Sequence, residues 1–338
     1  MKKLHAIDLF SGCGGLTTGL EEAGINVRYA VELDSKISMV YHVNHPQTVM
    51  INSDIKDISD SEFKKIGKNI DIVAGCPPCQ GFTRINSKNK IQQYSDERNL
   101  LILDYFRAIK IINPEFIMME NVPEITRFDK FHQVLSDLQE LGYKIDYHII
   151  NVKYFGVAQS RKRLVLIGSK HYEINFPKKK SDNVKTVRDA IGDLKIRKLK
   201  DDQLQRIHSH HTERIQNIIN MIPKNGGSRK DLPLKYWLEC HKKKNVGFSD
   251  VYGRMRWDSP APTITGGCLS PSKGRFLHPE KNRSITVREA ALLQGFPDNY
   301  YFDAKLPKTL LAQMIGNAIP PEVAKFQGEY ILSLLKNK

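Results

Sequence analysis

Long hydrophobic runs are missing from this 338-residue sequence, although 40% of its residues are hydrophobic. No run of about 18 uninterrupted apolar residues occurs, so we expect no membrane-spanning helix. The apolar stretch near the N-terminus is short and soon reaches Asp8, which is unlike the core of a signal peptide. These absences predict a cytoplasmic protein, and its length predicts one large domain and a smaller one.

Cysteine is also scarce, with five residues in the whole chain. In a reducing compartment such residues are mostly free thiols, so the composition excludes a disulfide-rich scaffold. A zinc ribbon needs a second cysteine pair at suitable spacing, whereas Cys13, Cys240 and Cys268 are isolated. The histidines of "HSHH" (208–211), taken with Cys240, fit no common zinc template. We therefore predict no metal site.

Acidic residues are outnumbered, since 37 Asp and Glu stand against 52 Lys and Arg and leave a net charge of +15. Acids are scarcest between residues 170 and 285, where 25 basic residues face only 12 acidic ones. Nearly all of the positive excess therefore lies in one internal segment. The simplest explanation for this local positive charge is a polyanionic partner. The alternative is a basic surface that binds nothing.

Short apolar runs alternate with helical patterns through the first half of the chain. Strands are predicted at 4–10, 27–32, 48–51, 70–76, 115–122, 144–152 and 163–169. This alternation is typical of an α/β fold, with a mostly parallel sheet covered by helices on both faces. After about residue 170 the pattern gives way to turns and charge clusters, which predicts a separate, loop-rich basic domain.

Polar or glycine-rich segments follow five of the predicted strands: 10–15, Glu32, Asp54, 76–82 and 120–123. Ligands bind beyond the carboxyl ends of strands in such sheets, so we expect these segments to line one cleft. The turn "DLFSGCGGL" (8–16) lets backbone approach a ligand, although it is not the G-x-G-x-x-G fingerprint. Glu32 suits a ribose diol and Asp54 an adenine amino group. The set predicts an adenosine-type ligand.

The stretch "AGCPPCQGF" (74–82) raises the question of what its two cysteines do. A single nucleophilic thiolate is favoured over a disulfide or metal clamp, because prolines stiffen the loop that presents it. Cys79, held between Pro78 and Gln80, is the better candidate. Cys76 is nearer the strand and is predicted to be packed.

Six motifs then occur in order: "DLFSGCGGL", "PPCQGF", "ENV" (120–122), "QSRKR" (159–163), "REAALLQGFPD" (288–298) and "QMIGNAIP" (313–320). Together they resemble the cytosine-C5 DNA methyltransferase family, from residue 4 to about 330 with the exception of roughly 170–285. The resemblance implies the S-adenosyl-L-methionine-dependent methyltransferase fold. That fold is a Rossmann-like mixed sheet with helices on both faces, here joined to a smaller loop-rich target-recognition domain. The implied division is 1–170 plus 305–338 for catalysis and cofactor, 171–285 for target recognition, and 286–304 as a connecting hinge.

The resemblance also assigns roles to single residues. Cys79 would attack C6 of a flipped-out cytosine, and Glu120 would contact the ring at N3 and the exocyclic amine. Arg161 and Arg163 would bracket the base and the DNA. The residues implied to hold S-adenosyl-L-methionine are Phe10, Gly12, Gly14, Gly15, Leu16, Glu32, Asp54, Ile55, Pro78 and Asn317.

DNA contacts are expected from two regions. The loop at 83–98 follows the predicted nucleophile and is rich in basic and polar residues, which favours a lid that closes over DNA rather than an ordinary surface loop. In the basic domain, the arginines of "YGRMRWDSPAPTITGG" (252–267) could read guanine edges, although phosphate contact or packing is an equal alternative. The candidate DNA-binding residues are Arg84, Arg254, Arg256, Thr263 and Thr265.

The function predicted from these features is a site-specific DNA (cytosine-5-)-methyltransferase that acts on double-stranded DNA as a monomer. It would protect host DNA from a partner restriction endonuclease that acts on the same site without forming a stable complex. The main alternative is a tRNA cytosine-C5 methyltransferase, because a tRNA-modifying branch of the family carries a similar "PPCQGFTR" loop. A non-catalytic binding protein and an NAD-dependent oxidoreductase fit the motifs less well.

Overall fold

The computed structural model describes residues 3–78, 100–193, 199, 202–239, 242 and 250–336. The chain divides into two compact units, of which the first comprises Met1–Phe155, Lys162–Lys180 and Ile319–Lys338. A seven-stranded sheet forms the centre of this unit, in the order β3-β2-β1-β4-β5-β7-β6. Its strands are β1 His5–Leu9, β2 Asn26–Glu32, β3 Val49–Asn52, β4 Ile72–Gly75, β5 Phe116–Asn121, β6 Lys144–Asn151 and β7 Lys162–Ser169.

The sheet is mixed rather than wholly parallel. Strands β1 to β5 pair in parallel, whereas β7 runs antiparallel to both β5 and β6. All seven strands predicted from the sequence are present, and the mixed α/β class implied by the family motifs is confirmed. The sequence interpretation did not include the reversal of β7. The reversal agrees with the absence of an α-helix between β6 and β7, since parallel neighbours need a long crossover connection and antiparallel ones do not.

The two faces of the sheet differ in character. The helices of the first unit are α1 Gly15–Glu22, α2 Ser35–Asn44, α3 Asp60–Ile66, α4 Leu101–Ile112, α5 Asp129–Glu140 and α10 Pro321–Lys336. On one face Leu9 and Met119 pack in a hydrophobic cluster with Phe63 of α3, Tyr105 of α4 and Phe131 of α5. Successive residues of a strand point to opposite faces, so Asp8 and Glu120 lie on the other face.

Helices α1 and α10 pack against each other at Gly19. A Cβ atom built at this glycine would lie 2.2 Å from the carbonyl oxygen of Pro321 and 2.6 Å from the backbone nitrogen of Lys325. Both neighbours are backbone atoms, which cannot rotate away. Close approach of the two helices therefore requires glycine at this position.

We expect Gly19→Ala to destabilise the first unit by about 1–3 kcal/mol or more, because overpacking forces the two helix backbones apart. Urea denaturation measures this loss. Gly266→Ala is the matched control, since its Cβ would meet first the flexible side chain of Gln313, at 3.3 Å. Equal stability of the two variants would contradict the tight contact at Gly19.

The second unit comprises Gly156–Arg161 and Ser181–Ala318. Its helices are α6 Val187–Ile191, α7 Glu213–Met221, α8 Val287–Gln294 and α9 Lys308–Asn317. Turns, short 3-10 segments and isolated β-bridges join them over the described part of the unit. Ile219, Ile222, Val251 and Leu277 belong to a small apolar core of this unit.

The boundary between the units does not coincide with the division implied by the motifs. Residues 286–318, which were expected to form a hinge and then to rejoin the catalytic domain, lie in the second unit. The reason is packing, because α8 contacts both α6 and α9 within this unit. Only the segment from Ile319 onward, which contains α10, belongs to the first unit. None of the described helices is long and apolar enough to cross a membrane.

Candidate functional site

The turn between β1 and α1 has an unusual backbone. Phe10, Gly12 and Gly14 all have positive φ angles, of 61°, 55° and 97°. This conformation is easy for glycine but uncommon for a bulky residue such as phenylalanine. The turn is anchored by two hydrogen bonds, from Ser11 N to Val31 O and from Gly14 N to Ser11 O. A backbone held in this way is typical of a turn that presents its N–H groups to a ligand.

Glu32 closes this turn from the end of β2. Its Oε2 accepts a hydrogen bond of 2.9 Å from Gly12 N, and its Oε1 accepts one of 2.9 Å from Asp34 N. Burial raises the pKa of Glu32 above its ordinary value, and the two backbone donors oppose that rise. Each carboxylate oxygen keeps a second lone pair, so Glu32 can still accept from two hydroxyl groups.

The remaining cofactor candidates of the first unit follow the same edge of the sheet. Asp54 begins the turn after β3, and its Oδ1 accepts from Lys56 N at 3.0 Å. Ile55 is buried beside it, and Pro78 is half-buried after β4. Gly15 and Leu16 are buried at the start of α1, whose N-cap makes no side-chain hydrogen bond. The carboxyl ends of β1, β2, β3 and β4 therefore carry nine of the ten predicted cofactor residues.

Asn317 is the tenth, and it is an exposed residue at the C-terminal end of α9. It belongs to the second unit, whereas the other nine belong to the first. Its place among the cofactor contacts stays a prediction.

Glu120 lies near the end of β5 and is only 6% exposed. The Nε of Arg163 approaches its Oε1 to 2.8 Å, an ion pair whose geometry is too oblique for a hydrogen bond. The neighbouring Asn121 donates from Nδ2 to Pro77 O at 2.9 Å. This bond fixes the chain leaving β4 against the end of β5. The predicted nucleophile, Cys79, comes two residues after Pro77 and lies outside the described residues, as do Arg84 and the loop at 83–98.

Arg161 has a different environment from Arg163, although only one residue separates them. Its side chain is 2% exposed, and its Nη1 donates to Ile264 O at 2.6 Å and to Gly316 O at 2.9 Å. Gln159, two residues earlier, accepts from Ile264 N at 2.7 Å. Arg161 thus holds the segment at Ile264 and helix α9 together within the second unit, which makes it a positioning residue.

The structure corrects the expectation that Arg254 reads DNA. This side chain is fully buried, and all five of its guanidinium donor positions are used within the second unit. They donate to the carbonyl oxygens of Ile219, Ile222, His278 and Lys281 and to Asn282 Oδ1. Arg254 is therefore an internal support of the basic region.

The other predicted DNA-binding residues of this region are more accessible. Arg256 is exposed, and Thr263 and Thr265 are partly exposed. Thr263 Oγ1 donates to Ser160 O at 3.0 Å, and Thr265 Oγ1 accepts from Gly267 N at 3.3 Å. Over the described residues no three His, Cys, Asp or Glu side chains are grouped to hold a metal ion.

Asp8 is a polar residue of this sheet face that the sequence interpretation did not assign. It is wholly buried, and its Oδ2 accepts a hydrogen bond of 2.7 Å from Thr17 Oγ1. Thr17 Oγ1 also lies 2.7 Å from the hydroxyl of Tyr41. Burial, with a smaller contribution from the charge of Glu32, raises the pKa of Asp8 to about 7. The signal in the sequence was an aspartate in the middle of the apolar run "AIDLF".

The reversed β7 gives this fold its class. Dinucleotide-binding sheets are mostly parallel throughout, whereas here an antiparallel β7 lies between β5 and β6. The same sheet carries a glycine-rich β1–α1 turn and a carboxylate at the end of β2. This arrangement is that of an S-adenosyl-L-methionine-dependent methyltransferase. Comparison with protein families takes the classification further. Residues 4–333 match the model of the C-5 cytosine-specific DNA methylase family, and the chain belongs to that family.

Relatives with curated names agree with this assignment. The chain is 34% identical to the Type II methylase M.HgiDII of Herpetosiphon aurantiacus, over 98% of this chain and 95% of the relative. It is 32% identical to the Type II methyltransferase M1.HphI of Haemophilus parahaemolyticus, over 99% and 88%. The family predicted from the six motifs is confirmed.

Solved structures give the same fold. A prophage-encoded DNA modification methyltransferase of E. coli superposes with a TM-score of 0.69 at 26% identity, covering 99% of this chain and all of the other. The Dnmt2 methyltransferase of S. pombe superposes with a TM-score of 0.68 at 19% identity, covering 99% of each chain. At that identity the second likeness shows the fold alone.

Two neighbouring arginines of the second unit provide a first test. We expect Arg254→Met to lower the free energy of unfolding by about 3 kcal/mol or more, because it leaves several buried carbonyl groups without donors. Arg256→Met is the matched variant and should change stability by about 0.5 kcal/mol or less, since its side chain is exposed. Thermal and urea unfolding measure both. A stable Arg254→Met protein would contradict the supporting role.

The titration of Asp8 provides a second test. Its pKa is higher in the folded chain than the ordinary 3.8, so the folded state binds the proton more tightly and stability falls as pH rises from about 4 to about 7. Asp8→Asn removes this loss, and we expect the variant to gain stability relative to the wild type across that range. Urea midpoints at several pH values measure the difference. A constant difference would mean that Asp8 does not titrate there.

Proposed function

We propose that this chain transfers a methyl group from S-adenosyl-L-methionine to C5 of a cytosine in double-stranded DNA, at one specific short sequence. The observation that carries the proposal is the ion pair of Glu120 with Arg163 beside the chain that leads from β4 to Cys79. Its relatives are named Type II methylases, which supports a role in modifying host DNA at the site of a restriction endonuclease.

The end of the sheet suits S-adenosyl-L-methionine in three respects. A Cβ atom at Gly12 would meet nothing within 4 Å, so the space above this turn is open. The buried Ser11 Oγ has no hydrogen-bond partner and could accept or donate to a ligand. Glu32 keeps lone pairs for the ribose hydroxyls and Asp54 Oδ2 one for the adenine amine. When bound, the ligand supplies an electrophilic methyl group on its sulfonium.

The chemistry assigned to the chain begins at Cys79. C5 of cytosine is a poor nucleophile, and addition of the Cys79 thiolate to C6 makes C5 enamine-like. Glu120 stabilises this adduct by holding a proton at N3 of the ring. Arg163 orients Glu120 through their ion pair. After methylation a base removes the C5 proton, and elimination releases Cys79.

Binding of DNA is assigned mainly to the second unit. The segment between 170 and 285, of which residues 181–285 lie in this unit, has the strong basic excess. A flipped base is needed because C6 is inaccessible inside a duplex. Arg256 is the proposed contact from the "YGRMRW" stretch, because Arg254 is buried and already donates to carbonyl groups within the unit. The lid at 83–98 with Arg84, the monomeric state, the cytoplasmic location and the partner endonuclease belong to the same proposal.

The test is methyl transfer from labelled S-adenosyl-L-methionine to unmethylated duplex DNA and, in parallel, to tRNA. We expect label in DNA alone, with 5-methylcytosine at one recurring short sequence when the product is sequenced. Label in tRNA alone would overturn the proposal and assign the chain to an RNA-modifying role.

Substitution of the nucleophile makes the test specific. Cys79→Ser should lower turnover by at least about a thousandfold while S-adenosyl-L-methionine still binds, because the ligand contacts lie elsewhere. Cys268→Ala, a buried thiol of the second unit, is the matched control and should keep wild-type turnover. Full activity of Cys79→Ser would refute the assignment of the nucleophile.

A further inference from the structure

Three histidines and a lysine of the second unit have no role in the site described so far. His208, His210 and His211 lie just before helix α7, and Lys308 is the first residue of helix α9. All four belong to the second unit. We call these four residues the His–Lys cluster, because hydrogen bonds and a ring contact join most of them around one serine.

Ser209 is the residue at which the groups of the His–Lys cluster meet. It is only 9% exposed, and its backbone N–H donates to Ser284 Oγ at 3.4 Å. Its hydroxyl oxygen accepts a hydrogen bond of 3.3 Å from Lys308 Nζ, and its carbonyl oxygen lies 3.1 Å from His208 Nδ1. The centroid of the His210 ring lies 4.8 Å from that of His208. An ammonium group and two imidazole rings therefore share one small region.

The hydrogen bond of His208 determines which of its ring nitrogens carries the hydrogen. A carbonyl oxygen can only accept, so Nδ1 carries the hydrogen and donates it to Ser209 O. In the neutral ring Nε2 then has a lone pair, and it has no hydrogen-bond partner among the described residues. A second proton on Nε2 makes it a charged donor. The ring can therefore take up a proton when an anion binds beside it.

His211 also has a ring nitrogen that the fold leaves unused. Its Nε2 is buried and makes no hydrogen bond within the described part of the chain. A buried polar atom of this kind is costly unless a partner is supplied, which points to a ligand. Burial lowers the pKa of His211, and the next contributions come from Lys308 and then from His208 and His210. The charged groups that act on this ring are therefore basic ones.

The His–Lys cluster has positive charge without an acidic partner. Over the residues that the structure describes, neither Lys308 nor a histidine of the cluster forms an ion pair with a carboxylate. Glu289 is wholly buried and already accepts from both terminal nitrogens of Arg283, at 2.7 Å each. The first turn of α9 contains no acidic residue either. Uncompensated positive charge of this kind favours an anion.

We propose that the His–Lys cluster binds a phosphate group of the DNA backbone. Lys308 and His210 are exposed, so a phosphate can reach them from solvent. Ammonium and imidazolium groups donate charge-assisted hydrogen bonds to phosphate oxygens, and these are roughly twice as strong as neutral ones. DNA is favoured over a free phosphate because the chain belongs to a DNA methylase family. The inference rests on the proposed DNA substrate.

The charge of the histidines should respond to binding. Burial lowers the pKa of His208, and the charges of Arg283 and His210 lower it further. The hydrogen bond to Ser209 O and the charge of Glu289 oppose this change. The two histidines with a lowered pKa are therefore mostly neutral at pH 7 in the free protein. A bound phosphate favours the protonated ring, so binding takes up protons and DNA affinity rises as pH falls from about 7.5 to about 6.

Equilibrium binding to duplex DNA over a range of salt concentrations tests the lysine. Lys308→Gln should weaken binding by roughly threefold to tenfold at about 0.15 M salt, equally for every DNA sequence. It should also lower the magnitude of the slope of log K against log[salt] by about one. Lys308→Arg keeps the charge and should keep the wild-type slope. Both variants should fold normally, because Lys308 is exposed.

Lys110→Gln is the matched control, since it also removes one exposed positive charge. Lys110 lies in the last turn of α4, toward the amino end of β5 and therefore at the sheet edge opposite to the proposed site. Its substitution should change the affinity by less than about twofold. An unchanged salt slope in Lys308→Gln, or an equal change in Lys110→Gln, would overturn the proposal.

The pH dependence of binding tests the histidines. His208→Gln should lose much of the rise in affinity between about pH 7.5 and about pH 6, because an amide donates without taking up a proton. In NMR titrations of the wild type, DNA should raise the pKa of His208 and His211. Inorganic phosphate, at the same concentration of phosphate groups, should raise both less. An equal effect of inorganic phosphate would assign the cluster to a free anion and refute the backbone contact.

Binding is measured without turnover, so the two proposals can fail separately. A wild type that binds DNA, with a salt slope that Lys308→Gln reduces, but transfers no methyl group would refute the proposed function and support the phosphate site. A wild type that methylates DNA while Lys308→Gln keeps its salt slope would refute the phosphate site alone.

Discussion

The ion pair of Arg163 with Glu120 depends on the direction of a single strand. Strand β7 is antiparallel to β5, with Val165 opposite Glu120 and Leu164 opposite Asn121. The beginning of β7 therefore lies beside the carboxyl end of β5, where the other site residues gather. A parallel β7 would bring its beginning to the opposite edge of the sheet, about 25 Å away for a strand of eight residues. The reversed strand is thus what brings Arg163 beside Glu120.

In the "QSRKR" segment, alternate side chains bind partners in different units. Gln159 and Arg161 bind the backbone of the second unit, whereas Arg163 binds Glu120 of the first. The unit boundary falls between Arg161 and Lys162. Two arginines with the same motif assignment therefore have different physical tasks, since one satisfies buried carbonyl oxygens and the other balances a buried carboxylate.

Much of the fold and of the site could be predicted from the sequence, because both depend on residue patterns within short stretches of the chain. The seven strands were visible as apolar runs, and the residues after them were expected to share one edge, as Glu32, Asp54 and Glu120 do. The burial of Arg254 was not predictable, because its five partners are mostly backbone carbonyl groups of residues 24 to 35 positions away. Every residue has a carbonyl group, so the sequence does not indicate which of them will face a given side chain. The place of α8 and α9 in the second unit was missed for a similar reason, as packing partners decide it.

The polar face of the sheet holds two buried carboxyl groups that are neutralised in different ways. The opposite face carries a continuous apolar cluster, which excludes water from that side of β1, β4 and β5. On the polar face Asp8 and Glu120 are themselves buried, so the charge of each must be paired or neutralised. Glu120 is paired with Arg163. Burial raises the pKa of Asp8, so that a proton neutralises this carboxyl group.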